Sequence, residues 1–249
     1  MVHLTETCDA GAPRLVVHAE AVPANVHEAA RTEAIHDALA GKDLVPAEHL
    51  VDSAYVSGAH IVAARERHGV EIVGPARPNL SWQARRENAF HAADFAVDWE
   101  RRRVRCPEGH VSEGWGEHTD KATGKRHVRA GFRPSDCRPC PSRRRCTRGQ
   151  SRRLRLLPRD EHEAVAGAKA RLETEAGRRL YAQRRGVEGT TSQAVRGLGL
   201  RRARCRGSAK TGLPSVVTAA AMDLDRPAAW FAGQPLATNR TSRFAALAA

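Results

Sequence analysis

Over its first 76 residues the chain changes hydrophobic period several times, and that alternation restricts the fold more than any other feature. Val2 to Cys8 reads as a strand, with Val2 and Leu4 facing one way and His3, Thr5 and Thr7 the other. Asp9-Ala-Gly-Ala-Pro13 is a turn cluster, and Leu15, Val17 and Ala19 open a second alternating strand, so a hairpin is expected. Helical spacing follows from Asn25 to Ala40 through Val26, Ala30, Ile35, Ala38 and Leu39, with Asn25 as N-cap and Gly41 as stop. An apolar strand then ends at Asp52, a helix runs near Ser57 to His68, and a strand from Val70 to Val73 closes at Gly74-Pro75. The order strand, strand, helix, strand, helix, strand predicts an α/β domain with a mixed sheet and flanking helices.

From about Arg77 to Leu157 the character changes. This segment is rich in Arg, Gly and Pro and holds Trp82, Trp99 and Trp115. Phe95, Val97 and Trp99 alternate as in a short strand, and basic residues from Arg101 to Arg105 surround Val104, which predicts a small β-rich insertion. Four of the chain's six cysteines lie in it: Cys106, Cys137, Cys140 and Cys146, spaced C-x30-C-x2-C-x5-C. In an intracellular protein, a C-x2-C pair with two further thiols reads as a structural Zn2+ site, and the alternative is four reduced cysteines. Cys106 precedes the turn sequence Pro107-Glu-Gly109, and His110 is a substitute ligand. Arg143, Arg144 and Arg145 sit between the last two cysteines, placed either to meet phosphates or to line a solvated loop.

Beyond the insertion, Asp160 to Arg185 is expected as one long polar helix weakened by Gly167 and Gly177 at about 1 kcal/mol each. In helical spacing Tyr181, Arg184 and Glu188 fall on one stripe, continued by Thr191, Ser192 and Val195 and followed by Arg196, Arg201, Arg202, Arg204 and Arg206. A carboxylate among so many cations suits either a metal ion beside a phosphate backbone or an ordinary ion-paired surface helix. Asp52 is likewise either a metal ligand at a strand end or a helix N-cap. A last helix is expected to bury Val216, Val217, Ala220, Ala221 and Leu224, with Pro214 in its first turn and Pro227 cutting it short. Residues from Gln234 onward read as a flexible tail. The expected layout is therefore residues 1–76 and 158–233 as two parts of one domain, 77–157 as the insertion and 234–249 as the tail.

At 249 residues and 41% hydrophobic content the chain has material for a real core, although aromatics make up only 4%. A formal charge of +13 points to a polyanionic partner, most simply nucleic acid. There is no apolar stretch of about 18 residues and no signal-peptide pattern, which directs the expectation away from membranes and toward the cytoplasm.

Together these segments resemble the DDE transposases of bacterial insertion sequences. Tyr181-x2-Arg184-x3-Glu188 is similar to the family's signature around its last catalytic glutamate, with the following basic residue at Arg196, one position late. Val51-Asp-Ser-Ala-Tyr55 resembles the D-x-G-Y segment, with Ala54 in place of glycine. The stretches Gly186 to Gln193 and Gly199 to Arg204 look like the same group. The resemblance implies an incomplete RNase H-like fold with the cysteine-containing insertion, and cleavage and transfer of DNA at element ends by two Mg2+ ions. Asp52 and Glu188 would be catalytic metal ligands, and Arg184, Tyr181 and Arg196 would contact DNA alongside Arg143, Arg144 and Arg145. In that fold a first strand carries another catalytic aspartate, and this chain starts at what would be the second strand. The expectation is a truncated transposase, or one begun at an internal Met1, that is inactive alone. It would act with DNA as homo-oligomer or by pairing with a full-length transposase; the alternative is a non-catalytic nucleic-acid-binding remnant or regulator.

Overall fold

A computed structural model describes residues 1–202, 205 and 207–234. Arg204, Arg206 and residues 235–249, which include nearly all of the expected tail, lie outside the described residues. The chain divides into two compact units. The first takes Met1–Tyr55, Ala63–Gly74 and the described residues from Ala170 onward; the second takes Val56–Val62 and Pro75–Lys169.

In the first unit, β1 (Val2–Glu6) pairs antiparallel with β2 (Val16–Ala21), from Val2 opposite Ala21 to Glu6 opposite Val16, with a register shift between Thr5 and Glu6. The turn cluster produces this hairpin, but its faces differ from the simple alternation: His3 is buried, whereas Val2 and Leu4 are half-buried. A 3-10 turn over Glu28–Arg31 leads into α1 (Thr32–Ala40). The cap is His27, whose Nδ1 accepts from the Ala29 amide at 3.2 Å, rather than Asn25. Gly41 terminates α1 as expected. β3 (Glu48–Leu50) and β4 (Glu71–Val73) pair in parallel through α2 (Gly58–His68), and the ladder continues where the Val51 amide donates to the Val73 carbonyl at 2.9 Å. Among the described residues β1 pairs only with β2, and β3 only with β4, so each pair keeps a free edge.

The expected long helix is broken. It runs as α5 (Arg159–Glu173), α6 (Glu175–Ala182) and α7 (Arg185–Arg196), and the first break is made by Thr174 rather than by a glycine. The Thr174 hydroxyl accepts from the Gly177 amide at 3.0 Å, so it ends one helix and caps the next.

α8 (Ser208–Phe231) corrects the expected core face. It contains both Pro214 and Pro227, and it buries Ser215, Thr218, Ala219 and Met222 while Val217 and Leu224 stay exposed. Polar anchors set its rotation: Asp223 Oδ1 accepts from the Val16 amide at 2.8 Å, and Arg226 donates to Glu6 at 3.3 Å and to the Arg14 carbonyl at 2.9 Å. Small residues on that face let the helix approach β2 closely, with Met222, Ala219 and Ala194 packing on Val16.

In the second unit, β5 (Ala96–Asp98) pairs antiparallel with β6 (Arg103–Arg105), and β7 (Gly114–Thr119), β8 (Arg126–Gly131) and β9 (Arg153–Leu156) form a three-stranded antiparallel sheet. Two short helices, α3 (Pro134–Cys137) and α4 (Arg143–Cys146), lie between β8 and β9. Phe95, Val104, Val128, Ala130, Phe132, Leu154 and Leu156 form the core, with Trp99 and Trp115 packed on it edge to face.

Candidate active site and cysteine cluster

Asp52 lies two residues past β3, in a turn rather than in the strand itself. Glu188 lies in the first turn of α7, and Arg184 is that helix's N-cap residue. Between α6 and α7 the backbone closes through i to i+3 bonds, with the Arg184 amide donating to the Tyr181 carbonyl at 3.1 Å and Val187 to Arg184 at 3.1 Å. This tight junction keeps Tyr181, Arg184 and Glu188 on one side although the helix is interrupted.

The half-buried Arg184 guanidinium joins the two acids. One Nη meets Asp52 Oδ2 at 2.6 Å and the other meets Glu188 Oε1 at 3.8 Å. A planar guanidinium fixes the spacing of its two Nη atoms, so these contacts bound the gap between those two carboxylate oxygens at roughly 9 Å. Asp52 is 54% and Glu188 75% exposed, so each pair is worth at most about 1 kcal/mol. The cluster is therefore held loosely enough for a stronger cation to replace the arginine.

Two phenols flank the group. Burial raises the Tyr181 pKa, and Arg184 hydrogen-bonds to it. Burial, aided by the charges of Glu28 and Asp52, pushes Tyr55 up to about 12, so its hydroxyl stays protonated near neutral pH. Tyr55 Oη also lies 3.1 Å from His3 Nδ1. Tyr55 and His3, but not Tyr181 or Glu188, border a cleft of about 840 Å³ in the first unit, lined by Val2 to Thr5 of β1, by His49 to Asp52, by Arg184 and by Val187, Thr191 and Val195 of α7. Glu28 is the other acid on its wall, with Arg201 and Arg202 also present. Sequence reasoning passed over Tyr55, Glu28 and His3 as site residues; Tyr55 ends the Asp52 segment, which was the one available signal.

Of the two glycines around Glu188, Gly186 admits the Arg14 guanidinium into the space a Cβ would fill, while Gly189 has nothing near it. Arg196 ends α7 and is exposed, as are Arg201 and Arg202. In the second unit Arg143, Arg144 and Arg145 form one turn of α4. Arg143 donates to the Gly149 carbonyl at 3.3 Å, and Arg145 donates to the Asn88 carbonyl at 2.5 Å while its Cζ lies 4.8 Å from the Phe90 ring centroid. None of the three is in an ion pair with a carboxylate among the described residues.

Cys106, Cys137, Cys140 and Cys146 all line one small cavity of about 20 Å³ in the second unit, together with His110, Arg143 and Arg152. All four are free thiols, and burial pushes Cys146 up to about 11. Among the described residues no three His, Cys, Asp or Glu stand at ligating distance from a common point.

No helix among the described residues is long and apolar enough to cross a membrane. Neither a curated protein nor a solved structure matches the chain. Asp52 lies outside the one family-model match, which takes in Tyr181, Arg184, Glu188, Arg196 and the four clustered cysteines. Residues 105–228, just under half the chain, match the model described as a transposase DDE domain.

Proposed function

We propose that this chain carries part of the catalytic site of an insertion-sequence transposase that cleaves and transfers DNA at element ends. The observation that carries the reading is the joining of Asp52 and Glu188 by Arg184. The donor set suits Mg2+, which takes carboxylate oxygens and water. Two such ions about 4 Å apart would supply Lewis-acid stabilisation of the attacking and leaving oxygens. A gap of up to roughly 9 Å between the carboxylates is compatible with that separation.

The chain's own residues have separable tasks in this reading. Asp52 and Glu188 would hold the cations. Arg184, released from them, would turn to a phosphate oxygen of the strand being cut, with Tyr181 holding its orientation. Arg196, Arg201 and Arg202 would neutralise neighbouring phosphates, and Arg143 to Arg145 are a separate set of cations suited to phosphate contact. Two carboxylates are too few for a tightly held ion pair, and the cleft beside Asp52 supports a source for a third. That cleft is lined by β1 and by the residues at the end of β3, and each of these strands has an unpaired edge among the described residues. A strand seated there with one inward carboxylate would complete both the sheet and the site.

Manganese binding followed by electron paramagnetic resonance tests this. We expect weak binding by the purified chain, lost in Asp52→Asn and in Glu188→Gln but retained in Glu28→Gln. Element-end DNA should bind without being nicked, because Asp52 and Glu188 by themselves would hold the ions weakly. Metal-dependent nicking that requires Asp52 would keep the catalytic assignment and overturn the need for the added strand. DNA binding with no manganese binding would leave the non-catalytic regulator as the better reading.

A further inference from the structure

The cysteine cavity is built as a site, by parts distinct from the Asp52 cleft. Cys106 heads a closed turn. Its amide donates to the His110 carbonyl at 2.8 Å, and its carbonyl accepts from the Gly109 amide at 2.9 Å. Gly109 has φ of 88°, a left-handed conformation that favours glycine, so the sequence Cys-Pro-Glu-Gly is what allows this knuckle. On the opposite side, Cys137 ends α3, Cys140 follows it by three residues, and Cys146 ends α4. The Cys140 carbonyl accepts from the Arg143 amide at 3.1 Å, which ties that turn to the next helix. Three of the four thiols pack against the unit's apolar core. The void they surround is about 20 Å³, close to one water-sized sphere.

A second observation concerns charge. Arg152 is 9% exposed and lines the same void. Its Nη1 donates to the Cys146 carbonyl at 2.9 Å and its Cζ stands 5.3 Å from the Phe95 ring centroid. Its Nε is buried with no hydrogen-bond partner, and no carboxylate pairs with it among the described residues. A buried guanidinium without a counter-charge costs several kcal/mol, a cost that a negative charge in the void beside it would offset. Four thiolates around a divalent ion carry a net charge of −2, which meets that need.

We propose that Cys106, Cys137, Cys140 and Cys146 bind one Zn2+ ion as a structural tetrathiolate site, with Arg152 as its buried counter-charge. The thiols release their protons on binding, and rotation of the side chains around the shared void would bring the sulfurs to about 2.3 Å from the ion. The ion then fixes the β6 turn, α3 and α4 to one another, which a unit with few long strands gains from most.

The test uses the full chain purified without chelator. Metal analysis should give one zinc per chain, and cobalt exchange should give the thiolate-to-metal absorption of a tetrahedral sulfur site. Cys140→Ser and Cys106→Ser should lose that signal, whereas Cys8→Ser and Cys205→Ser should keep it. If the ligand variants fail to fold, thiol labelling of the wild type decides: zinc should protect four of six cysteines, and a chelator should expose them. Arg152→Met should lower zinc affinity roughly tenfold with the metal still bound by sulfur. A folded protein without zinc, a mass showing two disulfides, or a cobalt spectrum unchanged by Cys106→Ser would each overturn the proposal.

Discussion

The two compact units bury different chemistry. In the unit that holds the cysteines, the Phe95 and Phe132 rings pack tilted at 56° with 5.8 Å between centroids inside an aliphatic cluster, in which Val104 is fully buried. In the other unit the buried aliphatics, Leu39, Val70, Val73 and Met222 among them, are interrupted by His3, Thr32, His36, Thr190 and Ser215. No Phe, Tyr or Trp of that unit is fully buried among the described residues. The cysteine-containing unit closes around packed aromatic rings, a non-directional burial, although Gln83, Ser112, His127, Ser142 and Arg152 are buried there too. The other unit instead ties its helices to its hairpin with charged hydrogen bonds such as Arg226 to Glu6, and it is this unit that borders an open cleft and holds β1 and β3 with unpaired edges.

The comparison is tested most severely at Glu6. Its side chain is 5% exposed and meets Arg226 at 3.3 Å, while Arg226 also donates to Thr190 at 2.7 Å. The Thr190 hydroxyl donates to the same carboxylate. Arg226→Met should leave a buried carboxylate unpaired and cost about 3 to 5 kcal/mol, whereas Glu6→Gln combined with Arg226→Met should recover most of it. Denaturant unfolding of the single and double variants measures the difference. A single variant within 1 kcal/mol of wild type would mean that the polar interior is not what closes this unit.

Phe132→Ala is the matching probe of the other unit. Removing a ring that is 5% exposed from a packed cluster should cost about 3 to 4 kcal/mol. Hydrogen exchange should place the loss in β7, β8 and β9. Equal loss of protection in β1 and β2 would show that the two interiors do not unfold separately.

Acid provides a third, smaller contrast. Burial holds His3, His18 and His36 below their ordinary pKa, and burial together with His36 holds His49 near 4. His36 Nε2 lies 2.9 Å from His49 Nδ1, so the two cannot both be protonated. Between pH 6.5 and about 4 the unfolded chain binds more protons than the folded one. The stability that these histidines carry is therefore present above pH 6.5 and falls as the pH drops toward 4, by about 3 kcal/mol for His49. His162 adds a similar but single contribution in the cysteine-containing unit. Exchange in α1 and β3 should accelerate first on acidification, and His49→Gln should flatten that limb. An acid limb unchanged by the substitution would assign the loss to carboxylates instead.

What could be read from the sequence was periodic or local. The hairpin of β1 and β2, the helix stopped at Gly41 and a short strand through Val97 follow from spacing and turn residues; the pairing of Val97 with Val104 does not. Asp52, Arg184 and Glu188 could be named from their motifs. That one guanidinium touches both acids depends on an approach of segments far apart in the chain, which no local pattern encodes. The same limit explains α8: Val216, Val217 and Leu224 look like a core stripe, yet Asp223 and Arg226 rotate the helix to satisfy Val16 and Glu6. At this helix, polar groups with buried partners outweighed apolar area.

Two glycines carry the contrast to its finest scale. By propensity alone Gly167 and Gly177 are alike, each weakening a helix by about 1 kcal/mol relative to alanine. Gly167 lies within α5 in the cysteine-containing unit, and a Cβ there would meet nothing within 4 Å. Gly167→Ala should therefore stabilise by about 0.5 to 1 kcal/mol through the smaller entropy of the unfolded chain. Gly177 lies in the first turn of α6, where a Cβ would collide with the Arg171 carbonyl that also accepts from the Thr174 hydroxyl at 2.7 Å. Backbone cannot yield there without breaking the Thr174 cap, so Gly177→Ala should destabilise by about 1 kcal/mol or more despite alanine's better propensity. Urea midpoints of the two variants give the answer directly. Shifts of the same sign would mean that the junction of α5 and α6 relaxes freely, and that the path from Thr174 through Arg184 to Asp52 is not held by this cap.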